Sequence, residues 1–178
     1  MITTRILYPW EYTEYAGWLK SQDSETLRLY FGVEVKPEFI DRLVERITAN
    51  PGRNYFIVAE YNHIWAGTIH IAIDQDTVEF GIIVREDQRG QSIGSRLIEE
   101  ALVWARNRGY RKLFMHCIQQ NSAIQHLCRR HNLPYKNMYG DVEVEIELEP
   151  ADLQSFTKEI SIIQRNIFQK FVKRCQIV

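Results

Sequence analysis

Apolar and polar residues follow two rhythms along the chain. Through the first fifty residues the spacing is helical. Glu11 to Lys20 carries aromatics at near-helical intervals, and Ser24 followed by Leu27, Leu29 and Tyr30 predicts a second short helix. A third opens at Pro37, with an acid in its first turn and apolar residues at 39, 40, 43, 44 and 47. The rhythm then shortens. Tyr55 to Glu60 and Ile64 to Ile73 read as two strands of a hairpin around Tyr61-Asn62-His63. Val78 to Val84 is almost wholly apolar, the mark of a central strand covered on both faces. Ser95 to Arg108 returns to helical spacing, with Leu97, Ile98, Ala101, Leu102 and Ala105 on one face and Gly109 as its stop. Lys112 to Ile118 reads as another buried strand and Asn121 to His131 as a helix with Ile124, Leu127 and Cys128 facing inward. Tyr139 to Leu148 supplies a last strand, Val142, Val144, Ile146 and Leu148 alternating with acids.

This order predicts an α/β domain over residues 1–150, a mixed central sheet with helices on both faces. Residues 151–178 read as a helical extension. Within it, Asp152 to Cys175 places Phe156, Ile160, Ile163, Ile167 and Phe171 on one stripe of a long amphipathic helix. That stripe leaves two readings open: packing on its own domain, or pairing with a second copy in a homodimer.

Composition narrows the partners. Lys+Arg is 22 against Asp+Glu 23, so no global positive field exists to gather nucleic acid or an anionic membrane. The basic run Arg106, Arg108, Arg111 and Lys112 falls at a helix C-terminus, where cations complement the dipole, and reads as a solvated end. Cys117, Cys128 and Cys175 lack metal-type spacing and are odd in number, the usage of reduced thiols; no metal is expected. No segment approaches the ~20 apolar residues of a membrane span, and the N-terminus lacks the order of a secretory signal. The cytoplasm is the expected compartment.

The most informative stretch is Phe80-Gly81-Ile82-Ile83-Val84-Arg85-Glu86-Asp87-Gln88-Arg89-Gly90-Gln91-Ser92-Ile93-Gly94-Ser95. A buried strand enters a turn with two glycines and a serine, then the clearest helix of the chain. Such a turn aims free N–H groups and the positive end of a helix dipole at one point, which suits a diphosphate. The plainer reading is an ordinary tight connection. No Gly-Lys-Ser/Thr and no G-x-G-x-x-G is present, so the common nucleotide loops are excluded.

Further on comes Asn121-Ser122-Ala123-Ile124-Gln125-His126-Leu127-Cys128-Arg129-Arg130-His131-Asn132-Leu133. Together the two stretches resemble the GNAT superfamily of acyl-CoA-dependent N-acetyltransferases. Arg89 and Gly94 match its R/Q-x-x-G-x-G/A motif, and Asn121, Ala123 and Leu127 match its second motif, with the resemblance running over about residues 55 to 148. Ser92 replaces the first motif glycine, Cys128 the usual tyrosine, and Asn132-Leu133 the usual Gly-Phe.

The resemblance implies acetyl-CoA as co-substrate and direct transfer to a small-molecule or protein amine. The N–H groups of Gly90, Gln91, Ser92, Ile93, Gly94 and Ser95 would hold the pyrophosphate, with Arg89 beside it. The backbone of Ile82, Ile83 and Val84 would bond the pantetheine arm and polarise the thioester carbonyl. Asn121 would touch the cofactor where the central strands part. Two bases are candidates: Glu79, which desolvation in an apolar strand would strengthen, and His116 in the neighbouring strand. Each also reads as a structurally paired side chain. Cys128 reads as an inert buried thiol, while Tyr135 and Tyr139 are candidates for a displaced phenol. The N-terminal aromatics, Tyr30 among them, read as acceptor-pocket wall or core. A longer acyl-CoA and a catalytically silent acyl-CoA-binding module are the alternatives.

Overall fold

The computed structural model describes residues 2–62 and 64–175, with side chains of the last helix described through residue 168. Seven strands are present: β1 (Ile2–Leu7), β2 (Asn54–Tyr61), β3 (Ile64–Asp74), β4 (Thr77–Val84), β5 (Lys112–Ile118), β6 (Lys136–Met138) and β7 (Asp141–Glu147). They form one sheet in the order β1-β2-β3-β4-β5-β7-β6. Among the described strands only β4 and β5 run parallel, because α4 (Ile93–Asn107) crosses between them. Helices α1 (Tyr12–Lys20), α2 (Ser24–Phe31) and α3 (Pro37–Ala49) cover one face, while α4 and α5 (Ser122–Arg130) cover the other.

Two apolar layers sandwich the sheet, as the alternating pattern requires. Ile57, Ile69, Phe80, Ile82 and Leu113 meet Leu97, Ile98 and Ala101 of α4. Phe56, Val58 and Ile83 meet Tyr12, Tyr15 and Leu19 of α1 with Ile40 and Val44 of α3.

Two strands have no apolar rhythm to announce them. In β1 the inward positions include Thr3 and Thr4, each 2% exposed. Thr4 is satisfied from far along the chain: its N–H and hydroxyl pair with the Asn166 amide at 3.2 and 2.8 Å, and its hydroxyl donates to Glu100 at 2.6 Å. All three residues of β6 are exposed and it pairs only with β7. The expected turn at Tyr61-Asn62-His63 is described as far as Asn62, which takes φ of 50°.

Helix α6 (Leu153–Cys175) packs on its own domain through one face. Ser155 and Ile162 are buried, Ser155 donates to Asn107, and Glu159 meets Arg108 at 2.9 Å. Phe156, Ile160, Ile163 and Ile167 lie on another face and are 47–63% exposed, while the Phe171 side chain is outside the described set. Arg106 and Arg108 are engaged by Glu149, Asp152 and Glu159, so the end of α4 ties down this helix.

His70 on β3 generates a pH test. Its ring stacks on Phe56 at 4.3 Å, and Nε2 lies 2.8 Å from Asn54 Oδ1. Burial pushes its pKa from 6.5 down to about 4. Above this window the imidazole is neutral in both states; within it only the unfolded chain takes up the proton, so stability falls as pH drops. The full shift corresponds to about 3 kcal/mol, and the partly exposed ring edge reduces this to about 1–3 kcal/mol. Urea denaturation at about pH 7 and about pH 4.5 should show that loss, and His70→Gln should remove most of the difference.

Candidate active site

Strands β4 and β5 pair only at Thr77–Lys112, Val78–Leu113 and Glu79–Phe114. Beyond Glu79 the ladder stops and the strands part. Arg85 N–H donates to Ala66 on β3 at 3.0 Å, which fixes the alternation of backbone groups along β4. Gly81 and Ile83 therefore point their N–H and C=O toward β3, and Ile82 and Val84 point theirs into the gap. The expectation that Ile83 contributes backbone groups is corrected: its bonds belong to the β3 ladder, and only its side chain reaches the cavity.

The turn after β4 is built as a donor cluster. Gly90 has φ of 78° and Ser92 φ of 60°, turning successive N–H groups toward one side. Among the described residues, the N–H groups of Gly90 to Ser95 have no hydrogen-bond acceptor, and α4 begins at Ile93. Ser92 thus holds the left-handed conformation that glycine adopts without a Cβ penalty.

A cavity of about 540 Å³ lies over the gap. Its lining takes in Ile82, Ile83 and Val84 from β4, Arg89 and Gly90 to Ser95 except Gln91 from the turn, and Asn121, Ile124 and Leu127 around α5. Thr26, Leu29 and Tyr30 of α2 close its far side. Several of the expected ligand groups are already engaged with the protein. Asn121 Oδ1 caps α5 by accepting from Ile124 N–H at 3.2 Å, and its amide donates to Leu29 C=O at 3.0 Å. These bonds make it a strut joining α5 to α2 at the edge of the cavity. Arg89 donates to the Thr26 hydroxyl, which in turn donates to Asp23 at the start of α2. The Ser95 hydroxyl pairs with His131 Nε2 at 2.7 Å, and burial pushes that imidazole down.

Gly94 lines the cavity and also answers to its packing. A Cβ there would lie 2.9 Å from Leu127 Cδ1, so the missing side chain lets α4 and α5 approach. A valine at 94 would push on α5 directly.

Neither expected base lines this cavity. Glu79 is exposed, because α2 reaches over Gly81 and Ile83 but leaves that position open; the desolvation expected from its apolar neighbours is absent. His116 is likewise exposed, its Nε2 3.2 Å from Asp141 Oδ2. Register nevertheless puts Glu79, His116, Glu143 and Glu145 on the α2 face of the sheet, with Asp141 beyond Ile118 and Lys112 and Lys136 at the margins.

The phenols sort themselves by position. Tyr135 accepts a hydrogen bond from Arg129 at 2.8 Å, and Tyr139 is fully exposed, so neither reaches the cavity. Tyr30 does. Its hydroxyl lies 3.0 Å from where a Cβ on Gly81 would stand. Burial and the nearby Glu79 carboxylate push this phenol up, and burial pushes the neighbouring Tyr15 well up. Thr68, fully buried, lies against the Tyr15 hydroxyl. Sequence reasoning noted Tyr30 only as wall or core, since no periodicity connects residue 30 with residue 81.

Cys128 is fully buried in the layer between α4 and the sheet, where burial pushes its thiol up. The inert reading of this residue fits its position. Cys128→Tyr should overpack that layer and destabilise by about 1–3 kcal/mol, and Cys128→Ala should cost less. Thermal melts of the two variants check the ranking.

The sequence profile described as the Acetyltransferase (GNAT) family matches residues 10–132. No curated protein matched. Among solved structures, the GNAT domain of S. lividans PAT superposes with a TM-score of 0.70 at 18% identity, covering 82% of this chain and 89% of that one. The spermidine N-acetyltransferase from Vibrio cholerae, solved with CoA and spermine, gives 0.66 at 19% identity over 83% and 95%. The putative acetyltransferase yncA from Salmonella typhimurium, solved with acetyl-CoA, gives 0.63 at 16% identity over 85% and 96%. These likenesses carry the fold, and the profile, which spans the turn, the parted strands and α5, carries the family. The chain belongs to the acetyltransferase (GNAT) family.

Proposed function

We propose that this enzyme moves the acetyl group of acetyl-CoA directly to a small amine that arrives as a cation. The observation that carries the reading is the parting of β4 from β5 above a turn of free N–H groups. The cavity suits an elongated donor with an anionic head. Its diphosphate would meet the N–H groups of Gly90 to Ser95 and the start of α4. Its pantetheine amides would bond the free backbone of Ile82 and Val84 as an added strand would. The thioester would then lie near Gly81, where the strands separate.

Attack requires a neutral amine, since an ammonium has no lone pair. Glu79 stands at the last rung before the parting, on the face opposite α4; it would take the ammonium proton, directly or through water, and pass it to solvent before the attack, and would then take the second proton from nitrogen as the C–N bond forms. Carboxylates at Glu79, Glu143 and Glu145 on that face would draw a cationic acceptor toward it. The Vibrio relative named for spermidine supports a polyamine-like acceptor. The C–N bond forms as the C–S bond breaks, and the electron pair goes to sulfur.

Ser92→Asp tests the phosphate site, because aspartate tolerates both the left-handed conformation and the N-cap position. Calorimetry should show acetyl-CoA affinity reduced about tenfold or more, equivalent to about 1.4 kcal/mol, while S-acetylpantetheine, which lacks the phosphates, binds as before. Equal loss for both ligands would count against the assignment.

Glu79→Gln keeps shape and removes proton acceptance. With spermidine as acceptor, kcat should fall about 10²–10⁴-fold, with acetyl-CoA affinity little changed, and His116→Gln should stay within about threefold. The reverse ranking would transfer the role to His116.

A further inference from the structure

Helix α6 carries its polar and apolar residues the opposite way round from an ordinary surface helix. Toward its own domain it turns Ser155, Glu159, Ile162 and Asn166, of which Ile162 alone is apolar. Their bonds fix the rotation of the helix. Ser155 donates to Asn107, Glu159 accepts from Asn107 and Arg108 at 2.6 and 2.9 Å, and the Asn166 amide bonds Thr4 on β1. Turning α6 to bury its other face would break these bonds and leave buried polar groups unpaired. The apolar face is held outward.

That face is continuous. Leu153, Phe156, Ile160, Ile163 and Ile167 recur at alternating steps of three and four residues, the spacing of a helix that pairs with another helix, and Phe168 adjoins them. All six are exposed, Leu153 to 87% and Phe168 to 66%, whereas exposed apolar residues elsewhere, such as Val33, Ile64 and Met138, lie on separate elements. Together the six present roughly 700 Å² of apolar surface, more than a monomer usually leaves open in one patch and about what each partner gives to a stable interface.

The edge of the face decides the partner. Gln154, Thr157, Ser161 and Gln164 flank it on the outer side, all uncharged. The Thr157 and Ser161 hydroxyls donate to the carbonyls of Leu153 and Thr157 at 2.7 and 2.9 Å, so they enter an interface already bonded. The charged groups sit nearer the domain: Lys158 pairs with Glu99, Glu159 with Arg108, and Arg165 lies near Glu100. Two copies of this face can therefore meet without like charges opposed. A helix that lies on a membrane carries Lys and Arg beside its apolar face, and a chain with net charge −1 has no general attraction to anionic lipid.

We propose that the apolar face of α6 is a self-association surface on which a second copy of this chain docks, α6 against α6 about a two-fold axis. Such an arrangement uses the same face on both copies, so association stops at the dimer.

Sedimentation velocity over chain concentrations of about 1 to 100 µM tests this, and the wild-type chain should run at twice the mass of one chain. Ile160→Gln combined with Ile163→Gln places good helix formers on an exposed face. Circular dichroism should show the fold kept, and the dissociation constant of the dimer should rise about 100-fold or more. Phe168→Gln, at the end of the face, is the milder variant and should raise it about tenfold. Met138→Gln, on the exposed β6, should dimerise like the wild type. A wild-type chain that stays monomeric across this range, or a dimer that both α6 variants leave intact, would overturn the proposal. A monomer that floats with phosphatidylglycerol vesicles, and is released by the double substitution, would overturn it in favour of a lipid surface.

Discussion

One interruption in a hydrogen-bond ladder organises this protein. Paired along their full length, β4 and β5 would leave no free backbone between them and no cavity above them. Their ladder ends at Glu79 and Phe114. A parallel pair held together by so few rungs leaves Ile82 and Val84 with backbone polar groups that no described residue satisfies, which is costly in a buried strand unless a ligand or water bonds them. The same parting directs the chain after Val84 into the turn that begins α4, so the donor arm and its anionic head are served by one continuous segment.

The surrounding contacts hold that gap at a fixed width. Asn121 reaches across from α5 to Leu29 on α2, and Arg89 reaches from the turn to Thr26 on the same helix. Gly94 lets α5 come close on one side, and Gly81 lets Tyr30 come close on the other. Asn121, Arg89 and Gly94, which the motifs would assign to the ligand, also shape the walls. These roles are compatible, because a site that binds a flexible donor gains affinity when its frame is already in place.

The departures from the family pattern have local explanations. Ser92 accepts a left-handed backbone conformation that costs about 1 kcal/mol for a residue with a Cβ, and it preserves the direction of the N–H groups. Cys128 fills a core position in the layer under α4, which a small apolar thiol does well.

The sequence by itself determined the elements with strong periodicity and their order: the hairpin, the apolar β4, α4 and its turn, β5 and α5. It did so because burial against one face imposes a spacing that local residues must obey. It also determined the family, through Arg89, Gly94, Asn121 and Leu127 in order. It did not announce β1, whose inward threonines depend on Asn166 and Glu100, nor β6, which has no buried side. Exposure of Glu79 was equally illegible, since an apolar strand sequence does not say where its covering helix stops. Only the tertiary structure decided which backbone groups of β4 face the gap, that Gly94 serves Leu127, and that Tyr30 stands over Gly81. Those facts depend on contacts between residues far apart in the chain, and no spacing along a single element encodes them.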